Sequence, residues 1–308
     1  MLRKILIGTM MLMLMLSAAV SAEATTEVTL LDKTAAMEKI YYGTEQTGSL
    51  VERISKLEKD IYGTETKDAL MSKVDRIYSY TKENGSMTPS FIVRLNGVEW
   101  ALNHLVTGQP AKTRLENIER VLMGNTVAGS FDSRLTKLTK LAYADGQVNI
   151  TKTTINKDTL FKIKVISPLS TKNSRVGDIV TYQAANDIYA GGVLVIAQGA
   201  CGTGKVTKIE PRKNFGRDAE LQITFDTIEG VDGTVINTVM GEKAKEETKS
   251  LAKAAGATVA GMAILGPFGV VGGAFVHGQD IEIPAGTSLF IQASADTDLY
   301  GIQVSNTQ

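Results

Sequence analysis

The chain repeats itself. The pattern basic, apolar, two variable residues, apolar stands at Arg53-Ile54-Ser55-Lys56-Leu57, Lys73-Val74-Asp75-Arg76-Ile77, Arg94-Leu95-Asn96-Gly97-Val98, Arg114-Leu115-Glu116-Asn117-Ile118 and Arg134-Leu135-Thr136-Lys137-Leu138. Successive copies are 20, 21, 20 and 20 residues apart. Three residues before each basic residue stand Leu50, Leu70, Phe91, Ala111 and Phe131; ten before stand Gly43, Gly63, Asn84, His104 and Gly124, mostly turn formers. A fixed period of this length means one small unit used several times, each copy too short to bury its apolar face alone.

Each copy carries helix chemistry. Leu50, Ile54, Leu57 and Ile61 lie on one face of a 3.6-residue period. Ser49 precedes that stripe with Glu52 three residues on, a capping box; Ser90 and Ser130 take the same slot later, and Pro110 takes it in the fourth copy. A helix of about 13 residues and a turn fill the period. The repeat is therefore an all-helical module over residues 37–143. Its recurring Arg53, Lys73, Arg94, Arg114 and Arg134 have two possible uses, as a comb for an anionic polymer or as helix-surface cations paired with a nearby acid. Glu58 and Glu119, five residues after Arg53 and Arg114, favour the pairing. Tyr41, Tyr42, Tyr62, Tyr78, Tyr80 and Tyr143 gather near repeat ends, where packing is the commoner use than stacking on sugar rings. Trp100 reads as core.

The unit Tyr42-Gly43, Leu50, Arg53-Ile54, Leu57-Glu58, Tyr62-Gly63 resembles the tyrosine–glycine and "RLxxLE" repeats of exported envelope proteins in diderm bacteria. The resemblance implies location more than activity. Residues 1–22 agree with it: Arg3 and Lys4 precede an uncharged run from Ile5 to Leu16, and Val20-Ser21-Ala22 precedes Glu23, as in a secretory signal cleaved between Ala22 and Glu23. The run is too short for a spanning helix, which needs about 20 residues. Cleavage would leave 308 − 22 = 286 residues outside the cytoplasm.

After Gly146 the period changes to two. Phe161, Ile163 and Val165 alternate with lysines, Val193–Ala197 is a buried apolar run, Leu221, Ile223 and Phe225 alternate again, and Asp232-Gly233 offers a hairpin turn. Strands are expected near 159–167, 178–184, 193–197, 203–210, 219–228, 233–240 and 287–295, a small antiparallel barrel or sandwich over 159–304. The fold class is α+β in two domains, joined by a linker at 144–158, where turn residues predict cleavage into independently folding halves. One segment departs from the pattern: Ala254–Val276 holds no charge and carries Gly256, Gly261, Gly266, Gly269 and Gly272, interrupted by Pro267. An element packed on its own domain and a membrane or oligomer contact through those glycines both remain open.

Gly191–Ile196 leading to Gly199, Gly204 and Val206, the Asp232-Gly233 hairpin, and Ile283-Pro284-Ala285-Gly286-Thr287 running to Asp298-Leu299 resemble the TrbI-like proteins that form the outer-membrane ring of type IV secretion systems. That family carries its membrane-crossing antenna where the apolar insert falls. The resemblance implies a barrel-like fold and an envelope setting. This chain differs in having a leader and helical repeats in place of a cytoplasmic tail, inner-membrane anchor and Pro-rich linker.

Composition narrows the chemistry. Hydrophobic residues are 43% and charged ones 21%, which suits a folded chain, and 33 basic residues balance 33 acidic, which argues against nucleic acid as partner. One cysteine and two histidines make a poor metal set. Gly199–Lys205 matches the spacing of a phosphate-binding loop, but Val206 follows where Ser or Thr is needed and the next residues read as strand, so no nucleotide is expected. Cys201 with His104 or His277 is the one nucleophile–base pairing on offer, and Asp296 with Asp298 the one acidic pair that suggests calcium. The expectation is a non-enzymatic scaffold of the periplasm or outer membrane, without cofactor or metal. Its partners are other envelope proteins, cell-wall polymer or copies of itself. The alternative is a peptidoglycan-binding module or a cysteine-dependent cell-wall enzyme using Cys201.

Overall fold

In the computed structural model, which describes residues 28–85, 88–210, 219–254 and 281–304, the repeat becomes six helices, one more than the sequence pattern shows. They are α1 (Leu30–Tyr42), α2 (Leu50–Tyr62), α3 (Leu70–Lys82), α4 (Phe91–Asn103), α5 (Ala111–Met123) and α6 (Phe131–Ala142). The added copy, α1, has Lys33 in the basic slot but Thr34 in the apolar one, so its stripe is broken at the position that defines the others. Thr29 with Asp32 and Ser49 with Glu52 close capping boxes on α1 and α2, and Ser90 and Ser130 cap α4 and α6. Gly43, Gly63 and Gly124 end their helices with positive φ, the left-handed cap that glycine adopts without a steric penalty. His104 takes that conformation at φ 52° to end α4. α3 ends instead on extended Glu83, and the extra residue of the 21-residue spacing is used in the bridge between Gly85 and Thr88.

The six helices do not form an open array in which each copy touches only its neighbours. α1 packs on α2 and α3 but also on α5, and α2 packs on α6. Tyr41 lies at the closure: its ring stacks on Phe131 at 5.2 Å, leans on Phe91 at 4.9 Å, and its hydroxyl meets Thr81 Oγ1 at 3.0 Å. Met37, Ile54, Leu57, Val74, Leu115 and Leu135 fill the same core. Each such side chain contributes roughly 1.5–3 kcal/mol of hydrophobic stabilisation, available only because distant copies close around it.

The second half is built on a closed barrel. Its strands are β1 (Ile150–Ile155), β2 (Leu160–Val165), β3 (Leu169–Ser170), β4 (Ile179–Ala184), β5 (Ile188–Ala190), β6 (Val193–Ile196), β7 (Cys201–Glu210), β8 (Glu220–Ile223), β9 (Thr227–Glu229) and β10 (Val235–Val239); after helix α7 (Glu242–Ala254) come β11 (Glu282–Ile283), β12 (Ser288–Ala293) and β13 (Thr297–Ile302). Antiparallel pairing runs β4-β2-β12-β10-β9-β7 and back to β4, so six strands close without an edge, and β8 extends β7. Phe161, Ile163, Val180, Tyr182 and Ile291 point inward, while Lys162, Lys164 and Gln183 stay outside the core. Tyr182 crosses the interior to donate to Thr227 O at 2.7 Å, and Gly202 makes room for it: a Cβ there would strike the Tyr182 ring and Thr227 O. α7 lies on β12, where Phe290 N–H donates to Thr248 Oγ1 at 2.9 Å.

A second sheet, β1-β13-β6-β5, stands beside the barrel. β1 falls inside the stretch 144–158 expected as a linker and pairs along its whole length with β13, Ile150 opposite Ile302 and Ile155 opposite Thr297. Its partner is about 150 residues away in sequence, and its Thr-rich face shows no alternation, so nothing local marks it.

Candidate functional site

The repeat's recurring charges determine what its surface offers. The ninth residue of α1, α2, α4 and α5 is Glu38, Glu58, Glu99 and Glu119, all buried. Arg53 donates to Glu38 at 2.9 and 2.6 Å, Lys73 pairs with Glu58 at 2.9 Å, Arg114 donates to Glu99 at 2.8 Å, and Arg134 makes two 2.8 Å bonds to Glu119. The partner therefore belongs to the preceding copy, not to a residue five further on in the same helix. Residues five apart on a helix do not share a face, which is why the within-helix pairing fails. The same carboxylates also hold the intervening turns: the N–H groups of Gln46, Thr107 and Val127 each donate at 3.0 Å to Glu38, Glu99 and Glu119, and Thr66 Oγ1 donates to Glu58 at 2.8 Å. Burial pushes the Glu58 carboxyl up, but hydrogen bonds from Lys73 and Thr66 pull it below its ordinary value. Arg76 also bonds to it.

The ladder is interrupted where its acid is missing. α3 has Tyr78 in the ninth place, so Arg94 reaches across the bundle to Asp132 at 3.1 Å and Thr136 at 2.8 Å. Lys33, with no copy before it, pairs with Asp75 at 2.6 Å. The side chains of Arg53, Lys73, Arg94, Arg114 and Arg134 are 10, 9, 16, 9 and 8% exposed. They form no outward comb for a polymer, because each lies between helices with its hydrogen bonds taken. Several tyrosines behave alike: Tyr42 donates to Asp60 at 2.7 Å, Tyr80 to Asp132 at 2.6 Å and Tyr143 to Gly97 O at 2.9 Å, while Tyr62 packs edge-on against Tyr80.

Cys201 starts β7, half-buried beneath Gly108, where a Cβ would lie 2.5 Å from its sulfur. Burial raises its thiol pKa, the direction opposite to an activated nucleophile. His104 caps α4 and sets its ring edge-on to Trp100 at 6.1 Å, and no hydrogen bond joins it to the thiol; His277 lies outside the described residues. Gly199–Lys205 is a turn entering a ten-residue strand, without the helix a phosphate loop requires. Asp296 accepts from Lys157 N at 2.6 Å while Asp298 accepts from Thr154 at 2.7 Å and pairs with Lys152. Among the described residues no three metal-ligating side chains come together, and no helix is long and apolar enough to cross a membrane. Ala22 and Glu23, and Gly256, Gly261, Gly266, Gly269 and Gly272 of the insert, lie outside the described residues.

The seam between bundle and barrel is the feature the sequence hides. α4 docks on the β module: Val93 joins its core, Asn96 Nδ2 donates to Val231 O at 2.8 Å, and Trp100 Nε1 donates to Asp187 at 2.9 Å. Trp100 is thus an interface residue, half-exposed rather than central. Gly97 lies against Val148, Tyr143 and Ile302 without space for a side chain. The strap Leu105–Gln109 follows, with Val106 N–H donating to Gln198 O at 2.8 Å and its carbonyl pressed onto Gly199. The advance signal is that this copy has Val93 and Trp100 where the other helices carry polar or charged residues, such as Glu52 and Lys59 in α2. Beside the strap opens a cleft of about 450 Å³ between the two modules.

The sequence matches no protein-family model and no curated protein. Among solved structures it is similar to ComB10 of the Com type IV secretion system of Helicobacter pylori, at 17% identity over 47% of this chain and 89% of that one, with a TM-score of 0.27. The likeness assigns no residue a role.

Proposed function

We propose that the protein is a non-enzymatic scaffold of the bacterial envelope, exported by residues 1–22 and acting in the periplasm or at the outer membrane. One observation carries the reading: the recurring charged residues, the basic one in every copy and the glutamate in four of the six helices, are spent on holding helix to helix, so the repeat is a building device and not a row of binding groups. The outer wall of the barrel supports a water-facing body, since Lys162, Lys164 and Gln183 lie on it. Contact with a membrane or with further copies is then the task of the uncharged segment 254–276. Its glycines suit close backbone approach.

Gly261→Leu tests this in the full chain. The expected result is loss of co-fractionation with membrane, or a smaller cross-linked assembly, with the far-ultraviolet spectrum unchanged. A folded variant with unaltered partitioning and mass would remove the contact role. Cys201→Ser separates the enzymatic alternative: wall-fragment release that depends on the thiol would replace the scaffold reading.

A further inference from the structure

The cleft between the modules contains a charge pair that the architecture leaves unused. Glu229 ends β9 on the outside of the barrel, opposite Val235 in the β10 register. Its carboxylate faces the cleft, and no hydrogen bond or close ion pair reaches it from the described residues. It stays accessible to solvent at the cleft, whose concave walls still raise its pKa, while Lys82 and Arg114 act on it only from a distance. Arg114 is committed to Glu99 and Asn96. Lys82, at the end of α3, lines the same cleft; its ammonium lies 5.7 Å from the Tyr78 ring and has no hydrogen-bond or close ion-pair partner among the described residues. This contrasts with the rest of the bundle, where almost every buried or half-buried charge has a partner at hydrogen-bond distance. A solvent-accessible acid and a half-buried base, neither of them paired and both lining one cavity, are what a binding site presents before its ligand arrives.

We propose that this cleft binds a short peptide-like zwitterion, its ammonium on Glu229 and its carboxylate on Lys82, with its apolar body along Ile40, Ile92, Pro110 and Val235. The volume, about 450 Å³, lies within the ordinary range for small-ligand pockets. A simple anion would meet Glu229 and a simple cation would meet Lys82, so only a molecule carrying both signs satisfies both groups. The cleft exists only because α4 is docked: Ile92 seats against Gly233, in the turn between β9 and β10. Binding at this place is independent of whether the protein is a scaffold.

The probe is leucyl-alanine, titrated into the mature chain and followed by amide resonances, beside its N-acetylated and C-amidated forms. Saturable shifts are expected at Ile92, Gly108 and Val235. N-acetylation and Glu229→Gln should each weaken binding about tenfold or more, as loss of a charge-assisted bond does. C-amidation and Lys82→Met should do the same from the other end. Both side chains are unpartnered, so the variants keep the fold, and the same spectra verify it. The proposal is overturned if none of the three peptides gives saturable shifts at millimolar concentration. It is also overturned if the capped peptides or either variant bind as well as the parent.

Discussion

Glu119 shows what one residue does in this architecture. It accepts two bonds from Arg134 and one from Val127 N–H, tying the end of α5, the following turn and the start of α6 together. Glu119→Ala should cost about 3–5 kcal/mol, because Arg134 stays buried without a counter-charge. Urea unfolding measures it, and Lys56→Ala at the exposed Lys56–Asp60 pair is the control, expected at under about 1 kcal/mol. Replacing Glu119 and Arg134 together by leucine should recover much of the loss; a double variant as weak as the single would mean the pair is worth more than its burial costs. The acids also give the stability a pH dependence. Glu58 is held below its ordinary 4.5, and hydrogen bonds from Ser55 and Lys59 hold Glu65 down at about 2. Carboxyls with lowered folded pKa stabilise fully above their unfolded value and lose that stabilisation as pH falls through the folded one. Urea midpoints should therefore be flat from pH 7 to about 5 and fall steadily below 4.5. Midpoints unchanged at pH 3 would count against the ladder as a source of stability.

At the scale of the element, the β module depends on close approach. β7 passes under Tyr182 at Gly202 and against Thr224 at Gly204, and the outward curl that closes the barrel needs both positions bare. Gly202→Ala puts a methyl 2.7 Å from Thr227 O and into the Tyr182 ring, so it should destabilise by about 1–3 kcal/mol and disturb the Tyr182 hydroxyl bond. Thermal unfolding together with the near-ultraviolet tyrosine signal reads both effects. A neutral substitution would show that β7 moves without cost. The helices make the converse point. Capping boxes or cap serines and terminal glycines mark some ends, and the 20-residue register carries them to α3 and the others that lack one, so the helices were legible in order, α1 excepted.

For the whole molecule, the seam decides whether there are two folding units or one. Trp100, the single tryptophan, lies in it, bonded to Asp187. If α4 belongs energetically to both modules, Trp100 fluorescence and far-ultraviolet ellipticity should change at one urea concentration, despite the change of period near residue 146. An earlier fluorescence transition would mean that the modules separate first and then unfold independently.

What the sequence by itself determined was everything set within a few residues along the chain: the 20-residue unit, many of its caps and turns, six strands close to their observed places with a seventh at 219–228 that the structure divides into β8 and β9, and the Asp232-Gly233 hairpin. These rest on periodicity and on backbone preferences that act over three or four residues. Tertiary structure alone decided the rest. It gave Glu38, Glu99 and Glu119 their partners fifteen residues on, closed α1 onto α5, paired β1 with β13, and set α4 against the barrel so that Glu229 and Lys82 line one cleft. Contacts of that kind depend on the path the chain takes between them, and no local pattern records the path.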